Sequence, residues 1–450
     1  MVVSKLGPRC RYSLSMTHQP PQAQTNDQYP PSWYAASATL LPEFSALMGE
    51  HSADVCIIGG GYTGLSTAIH LRDKGYSVIV LEANRMGWGA SGRNGGHVGT
   101  GQRADQDTLE SMVGVEHAKA LWQLGLEAVA TVTGLVERFG IDCELKQGNL
   151  HVATKAAENN ELQQHAEHLQ QSYDYHNIRY VEPAEVAQMT SGKGFYGATE
   201  DTGSKHLHPL KYLLGLAKAA SSLGAGLYEN SRVVGYSEND KVRVETDLGC
   251  VTANHLVLGC NGYLEKLEPR AAGRIMPINN YMLATEPLDE TLARRLIRDD
   301  TSMSDTLFVI NYWKLSADNR LLFGGGENYT KRFPKDIRSF VRDYMLRIYP
   351  ELADTRIDYG WGGTLAVTVN RMPDFGRLSP NVFYAHGYSG HGVPTATMAG
   401  KLLAEVIGGT SERFDVMAKV PTRQFPGGTL LRWPGLVAGM LFYSLRDRMG

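Results

Sequence analysis

DVCIIGGGYTGLSTAIHLRDKGYSVIVLE, residues 54–82, decides the fold. The apolar run Val55 to Ile58 stops at three glycines, and a helical pattern with Leu65, Ala68 and Ile69 follows. Gly75 ends it, and the apolar run Val78 to Leu81 closes on Glu82. Strand, glycine turn, helix, strand and acid within about 30 residues mark a unit that binds an adenine dinucleotide. Gly59 permits the tight turn, Gly61 lets the backbone approach a pyrophosphate, and Gly64 lets the helix lie close on the strand. The helix start at Tyr62 and Thr63 offers unpaired N–H groups and a partial positive charge to the phosphates. Glu82, followed by Ala83 and 18 residues past Gly64, is placed to accept from both hydroxyls of an adenosine ribose. The competing reading is a tight turn in an unrelated α/β protein, which does not account for the neighbours of the glycines.

Directly after this unit comes GWGASGRNGGHVGTG, Gly87 to Gly101, with seven glycines in fifteen residues. That density excludes a helix or an ordinary strand and suggests backbone lying against a flat ligand. Ser91, Arg93 and Asn94, with Gly95 beside them, are the groups best placed to bond it; a mobile surface loop is the alternative. Further on, a strand near Val233 brings its backbone within reach of an adenine. The apolar strand of HLVLGCNGY ends at Gly259, at the carboxyl end where open α/β sheets bind ligands. Late in the chain, the strand Val382 to Ala385 runs into Gly387-Tyr388-Ser389-Gly390-His391-Gly392, with a helix starting about Pro394. This second corner has no acid, and its helix N-terminus suits negative charge on a reduced ring system.

The whole chain bounds the rest. At 450 residues it has room for two domains, and 42% apolar with 20% charged residues suits a globular protein. Lys and Arg total 44 against 47 Asp and Glu, a net charge of −3 with no long basic run, so no nucleic-acid partner is expected. The five cysteines are scattered without a CxxC pair, which argues against a disulfide framework and a metal site and for a reducing cytoplasm. Residues 1–30 are rich in Gln and Pro and lack the apolar core of a secretory signal, so a disordered tail is expected, with Met16 an alternative start. WPGLVAGMLFYSL, residues 433–445, is too short to span a membrane. A docking helix is expected there, with peripheral membrane contact the alternative.

The elements between the corners lack glycine signatures. Residues 108–139 read as helices, with Met112, Val115, Ala118, Leu121 and Leu124 on the apolar face. A short strand at 148–153, a helix over 155–172 and another from Pro183 follow. NYMLATEPL reads as a strand, TLFVINYW and NRLLFGGG as a hairpin joined around Ser316 to Asn319, and Asp336 to Ile348 as a helix. The expectation is an α/β (α+β) fold in which a Rossmann-like domain (31–107, 201–275 and 361–450) is interleaved with an antiparallel-sheet-plus-helices substrate domain (108–200 and 276–360). Tyr281, Tyr312, Trp361 and Arg371 are the candidate substrate-contacting residues.

One corner for an ADP group and a distant second corner for a group that becomes anionic point to FAD. NAD leaves the second corner idle and would bring a discrete catalytic domain, of which there is no sign. These motifs (GGGYTG with Glu82, GASGRNGG, NGY and GYSGHG) resemble those of the D-amino-acid oxidase, sarcosine oxidase and glycine oxidase superfamily. SWYAASA, LSADNRLLFGGG, GYSGHGV, FPGG and FYSLRDRMG are similar to its branch acting on gamma-glutamylputrescine, and the likeness covers nearly everything after residue 30. The resemblance implies oxidation of a small-molecule amine to an aldehyde, ammonia and hydrogen peroxide, with molecular oxygen as acceptor and the flavin, not a dedicated base, at the centre. A dehydrogenase with another acceptor, or a flavin-binding protein without turnover, are the alternatives. Relatives of the sarcosine oxidase kind place a substrate-pinning lysine just after SGHG. Here Val393-Pro394 stands there, which favours a longer amine. Those relatives also attach flavin to a cysteine in the 310–320 region, absent here, so non-covalent FAD is expected. His97 is either a histidyl tether or a plain polar contact, and Arg371 either holds a distal carboxylate or makes an ion pair.

Overall fold

The computed structural model describes residues 29–326, 332–429 and 432. The Gln- and Pro-rich segment up to residue 28 and the apolar stretch 433–445 lie outside them.

The strand Gly49–Ile58 is the axis of the first sheet. Val78–Leu81 and then Gly226–Tyr228 lie on one side of it, Gly249–Leu258 and then Val382–His386 on the other, all parallel. Asp374–Ser379 adds an antiparallel edge, and the hairpin of Val233–Glu238 and Val242–Thr246 hangs on Gly249–Leu258. Helices cover the sheet, which explains why VIVL and the end of DVCII are continuous apolar runs: all four residues of Val78–Leu81 are buried. The strand order runs outward both ways from Gly49–Ile58, so a switch point lies at its carboxyl end.

Two helices fix the geometry there. Tyr62–Asp73 follows the first glycine corner and Gly392–Ile407 the second, and they lie directly against each other. A Cβ at Gly400 would sit 2.5 Å from both Ser66 Cβ and Thr67 N, an approach that only glycine allows. Ser66 Oγ donates to Thr397 O at 2.6 Å, and Thr63 Oγ1 and Tyr388 OH share a hydrogen bond of 2.6 Å. Segments more than 300 residues apart in sequence thus bring two helix N-termini to one place. Pro394 is the third residue of its helix rather than the first, still within the turn whose N–H groups need no helical partner.

The second sheet runs Ile357–Val367, Met276–Thr285, Leu321–Gly324, Tyr312–Leu315, Ser302–Asp305, Lys146–Val152, Ala198–His206 and His97–Val98, with Ile178–Val181 branching from Ala198–His206. Trp313, Phe323, Tyr281 and Tyr349 fill its core. The hairpin turn at 316–319 is where expected, with Ser316 Oγ donating to Asp318 at 2.6 Å and Asn319 left-handed at φ 61°. Its first strand begins only at Tyr312. Residues 306–311 form a loop because the Asp305 carboxylate accepts from Leu307 N at 3.3 Å and Asn311 N at 2.9 Å, drawing the backbone out of the ladder.

Three expectations change. The expected boundaries at 201 and 361 fall inside Ala198–His206 and Ile357–Val367, which stay in the second sheet until their ladders end at His206 and Val367. The helix Val115–Phe139, assigned to the substrate domain, buries Leu121, Leu124, Ala128 and Val132 in the core of the first sheet, against Met398 and Leu402. Periodicity identified its apolar face but not its partner. Val115, on that expected face, is exposed because it opens the helix before the face meets anything.

Candidate functional site

One cavity of about 1820 Å³ runs from the carboxyl ends of the parallel strands to the second sheet. Its wall contains Gly59, Gly61, Tyr62, Thr63, Glu82 and Ala83 of the first corner and Ser91, Arg93, Asn94 and Gly95 of the glycine loop. Val233 and Gly259 join them, with Ser389, Gly390, His391 and Gly392 of the second corner, and with Tyr312 and Arg371. Gly64 and Gly387 sit behind the wall. A Cβ at Gly64 would run into the Gly59 carbonyl. Gly387, at φ 73°, donates its N–H to Asn261 Oδ1 at 2.9 Å, tying the second corner to the NGY turn.

Two expected substrate contacts are not in the wall. Tyr281 is fully buried, ringed by Phe333 and Phe340. Trp361 is 2% exposed and donates Nε1 to Arg93 O at 3.1 Å, so it braces the glycine loop from behind. Alternation along a strand puts a side chain on one of two faces but does not say which face meets the cavity. Tyr312 does reach it, and its hydroxyl bonds Asn280 Oδ1.

At the first corner the half-buried Glu82 accepts from Gly60 N at 2.8 Å and Asn84 N at 2.9 Å, one bond per oxygen. Burial pushes its carboxyl above the ordinary value, and the two backbone donors pull the other way. Each oxygen keeps lone-pair capacity for a further donor. The polar side chains of the glycine loop mostly shape the loop itself. Asn94 Nδ2 donates to Ala90 O and Ser91 O, and its Oδ1 accepts from Gly96 N at 2.8 Å. Arg93 donates to Gly89 O, Gly362 O and Tyr263 OH while stacking 4.6 Å over Trp88. Ser91 Oγ accepts from Tyr62 N at 3.2 Å.

Sequence reasoning missed a buried pair that holds this corner. Arg85 Nε donates to Glu229 at 2.7 Å, and Glu229 also accepts from Met86 N at 2.6 Å and Phe44 N at 3.0 Å. The partners are 144 residues apart, and no motif joins them. Arg103, which donates Nε to Ser389 O at 3.0 Å in the second corner, was missed for the same reason.

FAD, expected from the two corners, suits these residues. A Cβ at Gly61 would lie 2.9 Å from Ser91 Oγ, so the wall there is bare backbone. The N-cap residues of both helices, Gly61 and His391, make no side-chain cap bond. His97 and His391 are cavity-lining residues whose buried Nε2 atoms have no hydrogen-bond partner among the described residues. Burial, with the Lys314 charge adding, holds His97 at about 3; burial, with Arg103 adding, holds His391 at about 4. Both are therefore neutral at physiological pH, and a polar group in the cavity would satisfy them. Among the described residues, no helix is long and apolar enough to cross a membrane, and no disulfide joins the cysteines.

Comparison with known proteins agrees with this geometry. The family model for FAD dependent oxidoreductases matches residues 54–406. Gamma-glutamylputrescine oxidoreductase of Escherichia coli (strain K12) is 39% identical over 420 residues, 93% of this chain and 98% of that protein. The probable oxidoreductase OrdL of Rhizobium meliloti (strain 1021) is 38% identical, covering 93% and 97%. Among solved structures, glycine oxidase from Geobacillus kaustophilus superposes with a TM-score of 0.68 at 22% identity, covering 80% of this chain and 95% of that one.

Proposed function

The chain belongs to the FAD dependent oxidoreductase family, and from that premise we propose that it deaminates the terminal amine of gamma-glutamylputrescine. The products in this reading are an aldehyde, ammonia and hydrogen peroxide, with molecular oxygen and water consumed. That the enzyme is an FAD-dependent oxidoreductase acting on amines is the established part. The observation that carries the finer reading is the size of the cavity, about 1820 Å³, whose lining joins both glycine corners to Tyr312 and Arg371 and so leaves room for an amine beside a bound FAD. The 39% identity to a protein named for that substrate supports it.

FAD, when bound, supplies the hydride acceptor for the carbon that bears the nitrogen. The chain's own residues do the rest. The bare backbone at Gly61 and the start of the helix Tyr62–Asp73 would take the pyrophosphate, and Glu82 the ribose. The N-terminus of the helix Gly392–Ile407 would face the ring system and stabilise negative charge there. Among the described lining residues, burial lowers His97, His151 and His391, so none of the three adds positive charge near an incoming ammonium at neutral pH. An amine must lose its proton before it can give up a hydride, and a desolvated cavity lowers its pKa in that direction.

The test is a screen of the FAD-loaded enzyme in air against gamma-glutamylputrescine, putrescine, sarcosine and glycine, with peroxide and aldehyde measured. Peroxide and aldehyde formed in equal amounts with gamma-glutamylputrescine, and much less with the others, is the expected result. Turnover only with an artificial dye would remove oxygen as acceptor. An unbleached flavin under anaerobic gamma-glutamylputrescine would remove that substrate.

A further inference from the structure

We propose that Gln106 and Trp122 form an amide-reading subsite in the cavity, and that it takes the amide link of an N-acylated diamine substrate. The place of that amide in a substrate rests on the amine-oxidising reading above; the subsite itself does not.

Both side chains line the cavity and both are almost wholly enclosed, Gln106 at 2% and Trp122 at 3% exposure. Gln106 Nε2 donates to Ala118 O at 3.1 Å, one turn before Trp122 on the helix Val115–Phe139. That bond fixes which way the amide points, and its Oε1 is left without a partner among the described residues. The Trp122 ring is wedged edge-on against Tyr173 and Tyr175, with centroids 5.7 and 5.1 Å away. Its Nε1 is likewise without a partner among the described residues. Gln102 repeats the pattern: Nε2 donates to Leu121 O at 2.8 Å, while Oε1, in a residue that also lines the cavity, meets no donor among the described residues.

Buried polar atoms are almost always paired, so one donor and two acceptors left open along one helix define the group that fills the space. An ammonium would leave the indole donor unpaired, and a carboxylate would leave the glutamine oxygens unpaired. A secondary amide brings a carbonyl for Trp122 Nε1 and an N–H for a glutamine oxygen together. The distance to the second glycine corner fits as well. A Cβ at Gly99 would lie 2.9 Å from His391 Cε1, and one at Gly101 would lie 2.7 Å from Trp122 Cζ3. The positions that meet the corner and the indole are thus two residues apart, at most about 7 Å. In gamma-glutamylputrescine four methylenes separate the amine from the amide nitrogen, about 6 Å when extended.

The test uses the FAD-loaded full chain as wild type, Trp122→Phe and Gln106→Met. N-butylacetamide, an amide with no amine to oxidise, is titrated by calorimetry. Steady-state rates then compare N-acetylputrescine with heptylamine, which matches its chain length and lacks the amide. Each variant should bind N-butylacetamide about tenfold more weakly, as for loss of one hydrogen bond that leaves its partner unpaired. Wild type should prefer N-acetylputrescine to heptylamine in kcat/KM, and each variant should cut that preference about tenfold, mainly through the KM of the amide. Gln106→Met also gives up the anchor on Ala118. If it holds no FAD, Trp122→Phe, which keeps a ring between the two tyrosines, decides alone.

Equal N-butylacetamide affinity in wild type and Trp122→Phe would overturn the subsite. So would parallel losses with both amines, since that would make Trp122 a packing residue only, or a wild-type preference for heptylamine. If wild type turns over neither amine but N-butylacetamide binding depends on Trp122, the proposed substrate fails and the amide subsite stands.

Discussion

Replacing Glu82 with alanine separates two roles that one carboxylate holds. In the folded protein its oxygens accept from Gly60 N and Asn84 N at 2.8 and 2.9 Å. Truncation leaves two partly buried N–H groups without an acceptor, at about 1–3 kcal/mol each when dry, so the apoprotein should lose up to about 2–6 kcal/mol by urea titration. The second role is toward the ribose. A hydrogen bond to a charged acceptor is worth about 1.5–3 kcal/mol, which is about 10- to 150-fold in the dissociation constant for FAD. Quenching of FAD fluorescence on addition to apoprotein measures this directly. Glu82→Gln keeps one carbonyl acceptor and should fall between wild type and Glu82→Ala in both measurements. An FAD affinity within about twofold of wild type, alongside a destabilised apoprotein, would refute the ribose assignment and leave Glu82 as a brace for the turn.

Other expectations follow from the same contacts. Gly61→Val places a branched side chain where a Cβ already lies 2.9 Å from Ser91 Oγ; the purified protein should be colourless, and a yellow, FAD-loaded variant would contradict the cradle. Glu229→Ala strands the buried Arg85 guanidinium and two backbone donors, so it should cost about 3–5 kcal/mol in stability. Arg85→Met with Glu229→Met should cost less than the single truncation. His97, held at about 3, and His391, at about 4, are neutral in the native state where the unfolded chain binds protons. Stability should therefore fall as pH drops from about 6.5 toward 4, by about 1.4 kcal/mol per pH unit for each. His391→Gln should flatten that slope, and an unchanged slope would count against a buried neutral histidine.

How much of this was legible in the sequence depends on how far apart the interacting residues lie. The first corner is local: turn, helix and acid fall within one unit, so their spacing already states their roles. The sheet order around Gly49–Ile58 follows once that unit is granted, because parallel strands with helical crossovers leave few topologies. Contacts across long separations left no signal. Nothing in the periodicity of Val115–Phe139 said that its apolar face meets Met398 and Leu402 rather than the second sheet. Tyr281 and Trp361 are aromatic residues on strands, as Tyr312 is, but only the register of the second sheet decides which of them faces the cavity. Arg103 carries no motif, and its meaning comes from Ser389, 286 residues away.

The contact of Ser66 and Gly400, with the bond between Thr63 and Tyr388, also sets a timetable for the chain. The first glycine corner with Glu82 is encoded within the first hundred residues and can begin to form while the chain is still being synthesised, with Glu229 and Val233 joining it later. The opposing wall of the cavity cannot exist until the helix Gly392–Ile407 has emerged and docked, because that helix supplies it. During that interval the small-residue face of Tyr62–Asp73 is uncovered, a period of exposure to misassembly that closes only with the last tenth or so of the chain. Full retention of the cofactor is in this sense a late event of folding, and a ribosome-released fragment ending before Gly392 should fail to hold it however sound its first glycine corner is.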